Sequence, residues 1–415
     1  MNRVTPGSLV YEERFADARR EPIDMQALRE YRYARVQEQL RAHDCVAALL
    51  TDPVNIRYAT DARNMSVFLL HNLGRYCVVP AQGKAVLFEF ANRNCLSLAA
   101  GLPCIGEIRP AKEHSFAGSG EHAPAVARRW AAEIADVIRR IGGAAGAHRV
   151  AVDRVDLLGS DALRAEGLVL VEGQGPLELA RSIKSAEEIA CMRQAIAVVD
   201  IGLARMREAL RPGVTENEVW AELHYANIAH DGEWIETRLL ASGPRTNPWF
   251  QESSDRRIEA GDLVSVDTDL VGPFCYCADV SRTFFCGPGK PTPEQRALYA
   301  LALEQVQFNC DLVRPGLGFR EWTERSWKIP ARFDAQNYGA VAHGVGMIDE
   351  WPLILTNAQD PALQEGELAA GMTVCVESYL GELGGAFGLK MEQQLLVTDT
   401  GYEIMSGFPL EEQLL

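Results

Sequence analysis

The chain has 415 residues, of which 47% are hydrophobic and 24% charged, which is enough for two domains with cores of their own. Its formal net charge of -16 argues against a phosphate-backbone partner, so we expect no nucleic acid to bind. The sequence contains no run of about eighteen apolar residues, and residues 1–21 lack an apolar signal core. We therefore expect a cytoplasmic protein that does not enter a membrane.

Ten cysteines are scattered along the chain, and only Cys275 and Cys277 lie close together. This spacing indicates neither a zinc ribbon nor a disulfide framework. We expect most of these thiols to be small buried side chains.

Short helical and strand patterns alternate over the first part of the chain. Residues 24–42 have a helical pattern, and a second apolar stripe of helical period falls within residues 126–141. Four short runs predict strands at residues 45–50, 75–79, 85–90 and 150–152. We therefore predict an α/β domain over residues 1–180.

A second domain, residues 181–415, is predicted after residues 173–176, which have neither a helix nor a strand pattern. The capping box Ser185-Ala186-Glu187-Glu188 begins a helix whose apolar residues recur in steps of three and four. Arg211-Pro212-Gly213 ends that helix.

The same stop recurs later in the chain. Arg314-Pro315-Gly316 follows a second apolar helix pattern, and both stops lead into a helix that contains a tryptophan, Trp220 in one case and Trp322 in the other. This recurrence indicates an internal duplication of helix, stop and helix.

Five carboxylates and one histidine within residues 267–392 have the composition of a two-metal site. Asp267, Glu377 and Glu392 interrupt apolar, strand-like runs, where a lone charge is costly unless it is paired or bound to metal. Hard oxygen ligands with one imidazole suit Mn, Fe or Zn, and two divalent cations neutralise most of the negative charge. The candidate ligands are Asp267, Asp269, Asp279, His343, Glu377 and Glu392.

The order Asp, Asp, His, Glu, Glu resembles the pita-bread family of methionine aminopeptidase, aminopeptidase P, prolidase and creatinase. The resemblance is carried by residues 278–284, by His343-Gly344-Val345-Gly346 and by the two segments around Glu377 and Glu392. It implies an α/β N-terminal domain, creatinase-like in character, and an α+β pita-bread C-terminal catalytic domain. Such a catalytic domain is built from two pseudo-symmetric halves that close around the metals.

Two histidines of the family's peptidases are absent here. One normally precedes the first metal Asp, in the region where this chain has Trp249 and Phe250. The other normally lies in a His-Glu-x-Pro segment, where this chain has Asp349-Glu350-Trp351-Pro352. His343 is the only histidine after His230, so no nearby imidazole can replace them.

A carboxylate in place of an imidazole changes the available chemistry. Aspartate, with a reference pKa near 3.9, is ionised at neutral pH and acts as a base. A base beside a metal-bound substrate suits abstraction of a proton next to a carboxylate. An aromatic lining would suit an onium group, through cation–π attraction of about 1–2 kcal/mol per contact; hydrophobic filling is the alternative interpretation. The aromatic candidates are Trp249, Phe250, Tyr338 and Trp351.

Residues 232–252, Asp267-Thr268-Asp269 and residues 349–352 resemble the branch of this family that cleaves dimethylsulfoniopropionate. The resemblance implies that Asp269 joins the other ligands, that two divalent ions are bound, with Fe favoured over Mn or Zn, and that Asp349 is the base with Tyr338 close by. The zwitterionic substrate would give dimethyl sulfide and acrylate.

Two other functions stay open from the sequence. A hydrolase of the same fold would act on an Xaa-Pro dipeptide or a creatine-like compound. Such a hydrolase would be expected to contain the two peptidase histidines that this chain lacks. A non-catalytic pita-bread binding module is the third hypothesis, against which the complete ligand set argues. Because creatinase-like relatives are homodimers, we also expect a homodimer.

Overall fold

The computed structural model describes residues 9–20, 22–90, 93–143, 148–360, 363 and 365–415, without the side chains of residues 93 and 94. The chain divides into two units. The N-terminal unit is Asp24–Arg181, and the C-terminal unit is Ser182–Leu415 together with the described residues that precede Asp24. No helix within the described residues is long and apolar enough to cross a membrane.

The N-terminal unit is built on one mixed six-stranded sheet in the order β4-β3-β2-β1-β5-β6. Its strands are β1 (Ala47–Leu50), β2 (Tyr76–Pro80), β3 (Ala85–Glu89), β4 (Ile105–Pro110), β5 (Arg149–Val152) and β6 (Val169–Glu172). Its helices are α2 (Met25–Ala42), α3 (Pro53–Thr60), α4 (Ser66–Leu69), α5 (Phe116–Ser119), α6 (Ala123–Gly142), α7 (Leu157–Ala165) and α8 (Gln174–Ser182), whose last residue lies across the unit boundary.

The predicted helix and strands of this unit form close to their expected bounds. Asp24 caps α2 by accepting hydrogen bonds from the backbone N–H groups of Gln26 and Ala27. The apolar stripe of α6 buries Trp130 and Ile134 in a core cluster shared with the sheet. Residues 173–176 differ from expectation, because α8 begins there; its first-turn N–H groups are capped by Glu172.

Residues 9–20, 22 and 23 lie with the C-terminal unit, whereas the sequence had placed them in the N-terminal domain. Helix α1 (Leu9–Ala18) buries Phe15, whose ring meets that of His230 edge-on at 4.9 Å. Glu12 Oε2 lies 2.8 Å from Nε2 of the same histidine. These contacts attach α1 to the C-terminal unit, and α1 carries only a weak apolar stripe that does not identify its partner.

Within its described residues, the C-terminal unit contains three antiparallel sheets, in the orders β11-β10-β7, β12-β9-β8 and β14-β13-β15-β16-β17. Its strands are β7 (Trp234–Ile235), β8 (Leu240–Ser242), β9 (Leu263–Val266), β10 (Leu270–Val271), β11 (Cys277–Ala278), β12 (Arg282–Phe285), β13 (Ala340–Val345), β14 (Asp349–Leu355), β15 (Thr373–Gly381), β16 (Gly388–Val397) and β17 (Tyr402–Ile404). Its further helices are α9 (Ala186–Ala209), α10 (Glu216–Ala229), α11 (Pro293–Cys310) and α12 (Phe319–Arg325).

The predicted repeat is visible in the backbone after each stop sequence. Gly213 donates its N–H to Ile258 O at 2.8 Å, and Gly316 donates to Leu368 O at the same distance. Both glycines have positive φ, 92° and 76°, which a residue with a side chain rarely adopts. The helices that follow, α10 and α12, contain the predicted tryptophans.

The repeat extends to the strands that carry the candidate ligands. Gly261 donates to Cys286 O at 2.7 Å and lies in the turn before β9, while Gly371 donates to Val397 O at 2.9 Å and lies in the turn before β15. Two related halves therefore supply the ligands, because Asp267 directly follows β9 and Glu377 lies within β15.

Candidate metal centre

Asp267 and Asp279 directly follow two short strands, β9 and β11, that place them side by side. Thr268 Oγ1 donates a hydrogen bond to Ala278 O at 3.0 Å and accepts one from Val280 N at the same distance. This pair of bonds joins the two ligand segments immediately beside both carboxylates.

The remaining ligands lie on the middle strands of the five-stranded sheet. Glu377 on β15 is paired directly with Glu392 on β16, and His343 on β13 is paired with Cys375 on β15. Alternate residues of a strand share a face, so the register brings all of these side chains to one side of the sheet.

His343 lies among three of the carboxylates. Its Nε2 is 3.2 Å from Glu377 Oε1, 3.5 Å from Asp279 Oδ2 and 3.8 Å from Glu392 Oε1. Its Nδ1 is 3.0 Å from Gly344 O. With Nδ1 donating to that carbonyl, the Nε2 lone pair faces the carboxylate oxygens, as a metal-binding imidazole requires.

The aspartates form a second group whose oxygens lie within 4.8 Å of one another, namely Asp267, Asp269 and Asp279. Asp269 has a φ of 35°, and its Oδ2 accepts a hydrogen bond from Thr237 Oγ1 at 2.6 Å. The structure therefore brings all six predicted ligands into one continuous cluster, in which Asp279 is common to both groups and Glu377 joins through His343.

The chemistry of this cluster fits divalent cations. Asp279 Oδ1 and Glu392 Oε1 are buried and have no hydrogen-bond partner among the described residues. Burial raises the pKa of Asp279 well above its ordinary value, and the carboxylates of Asp269 and Glu392 raise it further. Carboxylates crowded in this way remain ionised only when cations balance them, and the donor set of oxygens with one imidazole suits such cations.

Lys390 is a part of the site that sequence reasoning missed. Its side chain is fully buried, and its Nζ lies 2.5 Å from Glu377 Oε2 and 3.2 Å from both Asp267 Oδ2 and Glu392 Oε2. Burial alone would lower the pKa of Lys390, but these carboxylates reverse the effect and raise it, so the ammonium stays charged. The available signal was its position two residues before Glu392, on the same face of β16.

Cys375 was expected only to be a small buried side chain. It is buried on the same strand as Glu377, two residues earlier, and its sulfur belongs to a group of potential ligand atoms with Asp279, His343 and Glu392. Sγ lies 3.7 Å from Asp279 O, a distance at which a thiol donates a weak hydrogen bond.

Asp349 begins β14, beside the histidine. Its Oδ1 lies 3.6 Å from His343 Nδ1, and its side chain is 58% exposed, so water reaches it. Protein nonetheless surrounds the carboxylate on its other sides, and this burial is the main reason that the pKa of Asp349 is raised to about 6. The carboxylates of Glu392 and Asp267 also raise this pKa, whereas His343 lowers it.

Tyr338 lies over Lys390, with the ammonium nitrogen 4.8 Å from the ring centroid. Burial raises the pKa of Tyr338, the carboxylate of Glu377 adds to the effect, and Lys390 opposes it. The phenol is therefore protonated at neutral pH. Lys390, which is paired with the ligand carboxylates, therefore occupies one face of this ring.

The three other aromatic candidates lie in different surroundings. Phe250 is 64% exposed, and its ring centroid is 5.5 Å from that of Tyr338. Trp249 is buried and stacks on Tyr379 at 6.0 Å, in a small core cluster against which Tyr338 packs. Trp351 meets the buried ring of Phe319 edge-on at 5.1 Å. The structure thus groups Phe250, Trp249 and Tyr338, and packs Trp351 against the main core.

The paired halves and the buried cluster of carboxylates and imidazole to which both contribute define a metal-binding protein of the pita-bread class. Residues 190–399 match metallopeptidase family M24, and the chain belongs to that family. The predicted fold class is confirmed: a structure titled Xaa-Pro dipeptidase from Bacillus anthracis superposes with a TM-score of 0.73, covering 92% of this chain and 98% of that one at 21% identity.

Two curated relatives match over nearly the whole chain. "Dimethylsulfoniopropionate lyase DddP" of Roseovarius nubinhibens is 39% identical over 94% of this chain and 88% of its own length. The protein of the same name from Roseobacter denitrificans is 37% identical over 100% of this chain and 94% of its own length. The similarity to these relatives therefore includes the N-terminal unit as well as the metal cluster.

Proposed function

We propose that this protein is a metal-dependent carbon–sulfur lyase that cleaves dimethylsulfoniopropionate into dimethyl sulfide and acrylate. The observation that carries the proposal is Asp349, a carboxylate beside His343 at the place where the family's peptidases have an imidazole. The near full-length similarity to two proteins named for this activity supports the same conclusion.

The proposed metal ligands are Asp267, Asp269, Asp279, His343, Glu377 and Glu392. We propose two divalent ions per chain, with iron as the native metal and Mn or Zn as alternatives, because carboxylates with one imidazole suit all three. When bound, such ions supply a Lewis acid that stabilises negative charge on the substrate carboxylate.

Asp349 is the proposed base. Its carboxylate takes a proton from the carbon next to the substrate carboxylate, and the electron pair of that C–H bond forms the C=C bond of acrylate. The C–S bond breaks, and both of its electrons leave with dimethyl sulfide. Asp349 then returns its proton to water, which its partial exposure allows.

The proposed substrate contacts are aromatic. Phe250 and Trp249 lie on the Tyr338 side of the cluster, where an electron-rich ring attracts a sulfonium cation. Tyr338 stays protonated and so can donate a hydrogen bond, and we propose that it assists Asp349. Trp351, packed against Phe319, contributes to substrate binding only through the edge that the core leaves accessible.

Peptide hydrolysis is the second candidate, because the fold is shared with dipeptidases. The described part of the catalytic half has His343 as its only histidine after His230, so the chain lacks the imidazoles that the family's peptidases use. A non-catalytic binding module is less well supported, since a buried ligand set with unpartnered carboxylate oxygens has a large cost and no structural benefit.

We further propose a homodimer in a reducing, cytoplasmic setting. Each of the ten cysteines is a free thiol in the described part of the chain, which is typical of reducing compartments. Light scattering should report twice the mass of one chain, and a fully active monomer would contradict the dimer.

One assay separates the lyase from the peptidase. Metal-loaded protein is incubated in parallel with dimethylsulfoniopropionate and with Gly-Pro, and headspace dimethyl sulfide is measured beside free proline. We expect dimethyl sulfide without proline, and its loss after the metal is chelated. Proline release without dimethyl sulfide would replace the lyase with the peptidase.

A further inference from the structure

Lys390 carries an ammonium group into the centre of the ligand cluster. It donates hydrogen bonds to Ser281 Oγ at 2.7 Å and Glu377 Oε2 at 2.5 Å, and Asp267 and Glu392 share its remaining hydrogen at 3.2 Å each. Ser281 links the ammonium group to two of the ligand carboxylates, since its Oγ lies 2.7 Å from both Asp267 Oδ1 and Glu392 Oε2. Carboxylates from three separate segments thus converge on one cation.

The two glutamates divide their oxygens between opposite sides. Oε2 of Glu377 and Oε2 of Glu392 face Lys390, while Oε1 of each faces His343. A carboxylate held at one oxygen has little freedom to rotate, so its second oxygen has a fixed direction. Lys390 therefore determines which oxygens are presented on the histidine side.

The charge balance of the cluster also explains the presence of a lysine at this position. The proposed ligands include five carboxylates, and the single positive charge of Lys390 leaves four negative charges, which two divalent ions neutralise. Without the lysine, His343 is the only basic side chain left within ion-pair distance of these carboxylates among the described residues, so the metal-free cluster loses a full positive charge from its centre.

We propose that Lys390 is a positioning residue whose positive charge holds the ligand carboxylates together while no metal is bound. The inference rests on the proposed metal centre and adds to it the group that assembles the ligands. Metal and lysine are alternative sources of positive charge for the same carboxylates, so the stability of the protein should depend on metal more strongly when the lysine is removed.

The test compares thermal unfolding of metal-free protein with that of protein saturated with Mn²⁺. Lys390→Met keeps the side-chain length and removes the charge, so we expect a lower Tm without metal and a recovery with Mn²⁺. The Mn²⁺-induced rise in Tm should exceed the wild-type rise by at least about 4 °C. Elemental analysis should still show manganese in the variant.

Lys184→Met is the matched control. Lys184 is also buried and pairs with Glu350 at 2.9 Å, with none of the ligand carboxylates among its partners described here. Its removal should lower Tm equally with and without Mn²⁺. If Lys390→Met behaves in the same way, with an unchanged Mn²⁺-induced rise, Lys390 is an ordinary buried ion pair and the proposal is wrong.

A milder variant covers the case in which Lys390→Met does not fold in either condition. Ser281→Ala removes only the hydroxyl that links the Lys390 ammonium to Asp267 and Glu392. It should increase the Mn²⁺-induced rise in Tm by less than Lys390→Met does. An unchanged rise in that variant would overturn the proposal. A wild-type protein that shows no rise with Mn²⁺ would instead refute the metal centre itself.

Discussion

Replacing Asp349 by Asn tests the assignment of the base. The change preserves size and removes basicity, leaving the 3.6 Å approach to His343 available to the amide. Loss of a general base lowers kcat by about 10²- to 10⁴-fold, which corresponds to a barrier about 3–5 kcal/mol higher. Substrate binding should survive, because the proposed sulfonium and carboxylate contacts involve other groups.

The raised pKa of Asp349 also sets a pH dependence. The active form is the ionised carboxylate, so activity should fall as pH drops through about 6. A carboxyl with that pKa is about nine-tenths ionised at pH 7 and about one-tenth ionised at pH 5, which predicts a decline of about tenfold. In Asp349→Asn, the small remaining activity should no longer decline as the pH drops through about 6.

The assay is steady-state release of dimethyl sulfide, with metal content measured on the same samples. Asp399→Asn, at an exposed turn, is the matched control and should leave kcat unchanged. Near wild-type turnover in Asp349→Asn with its metal retained would refute the assignment, and the base would have to be sought at Tyr338 or at metal-bound hydroxide.

Three further changes have distinct expected outcomes. Asp279→Ala should remove metal and activity together, because Asp279 belongs to both parts of the cluster; elemental analysis showing full occupancy would contradict its role. Trp249→Ala should raise KM more than it lowers kcat and, because the ring is buried against Tyr379, reduce unfolding free energy by about 3–5 kcal/mol in denaturant titrations. Asp61→Asn should destabilise the N-terminal unit by about 3–5 kcal/mol in calorimetry, since buried Arg32 loses a carboxylate at 3.0 Å; an unchanged Tm would refute this.

The pH dependence of the last effect has a definite sign. Burial alone would raise the pKa of Asp61, but Arg57, Arg32 and Arg29 outweigh it and lower the pKa. The stabilisation is therefore fully present above the unfolded-state pKa near 3.9 and is lost as pH falls through the lower folded-state value. Asp61→Asn should consequently narrow the difference in stability between neutral and acidic pH.

Local signals in the sequence predicted much of the fold. The capping box at Ser185 forms as expected, with Glu188 N donating to Ser185 Oγ and Glu188 Oε2 accepting from Ser185 N. The two Arg-Pro-Gly segments follow the ends of α9 and α11 and form related turns. These features depend on neighbouring residues alone, which is why one sequence suffices to find them.

Other features depend on residues distant in the chain. The attachment of α1 to the C-terminal unit rests on His230, more than two hundred residues after Phe15. Lys390 could be placed on the face of Glu392 by strand alternation, but its convergence with Asp267 and Glu377 follows from the assembled sheets. The aromatic candidates were recognisable as a set, whereas the packing of Trp351 against Phe319 is a tertiary contact without a local signal.

The most direct test of the lyase mechanism uses dimethylsulfoniopropionate with both hydrogens at C2 replaced by deuterium. Elimination by Asp349 breaks one C–D bond, so we predict a normal primary isotope effect on kcat/KM and acrylate that keeps a single deuterium at C2. Hydrolytic displacement of the sulfonium group would break no bond at C2. Release of dimethyl sulfide with 3-hydroxypropionate that retains both deuteriums, and without an isotope effect, would contradict base-promoted elimination.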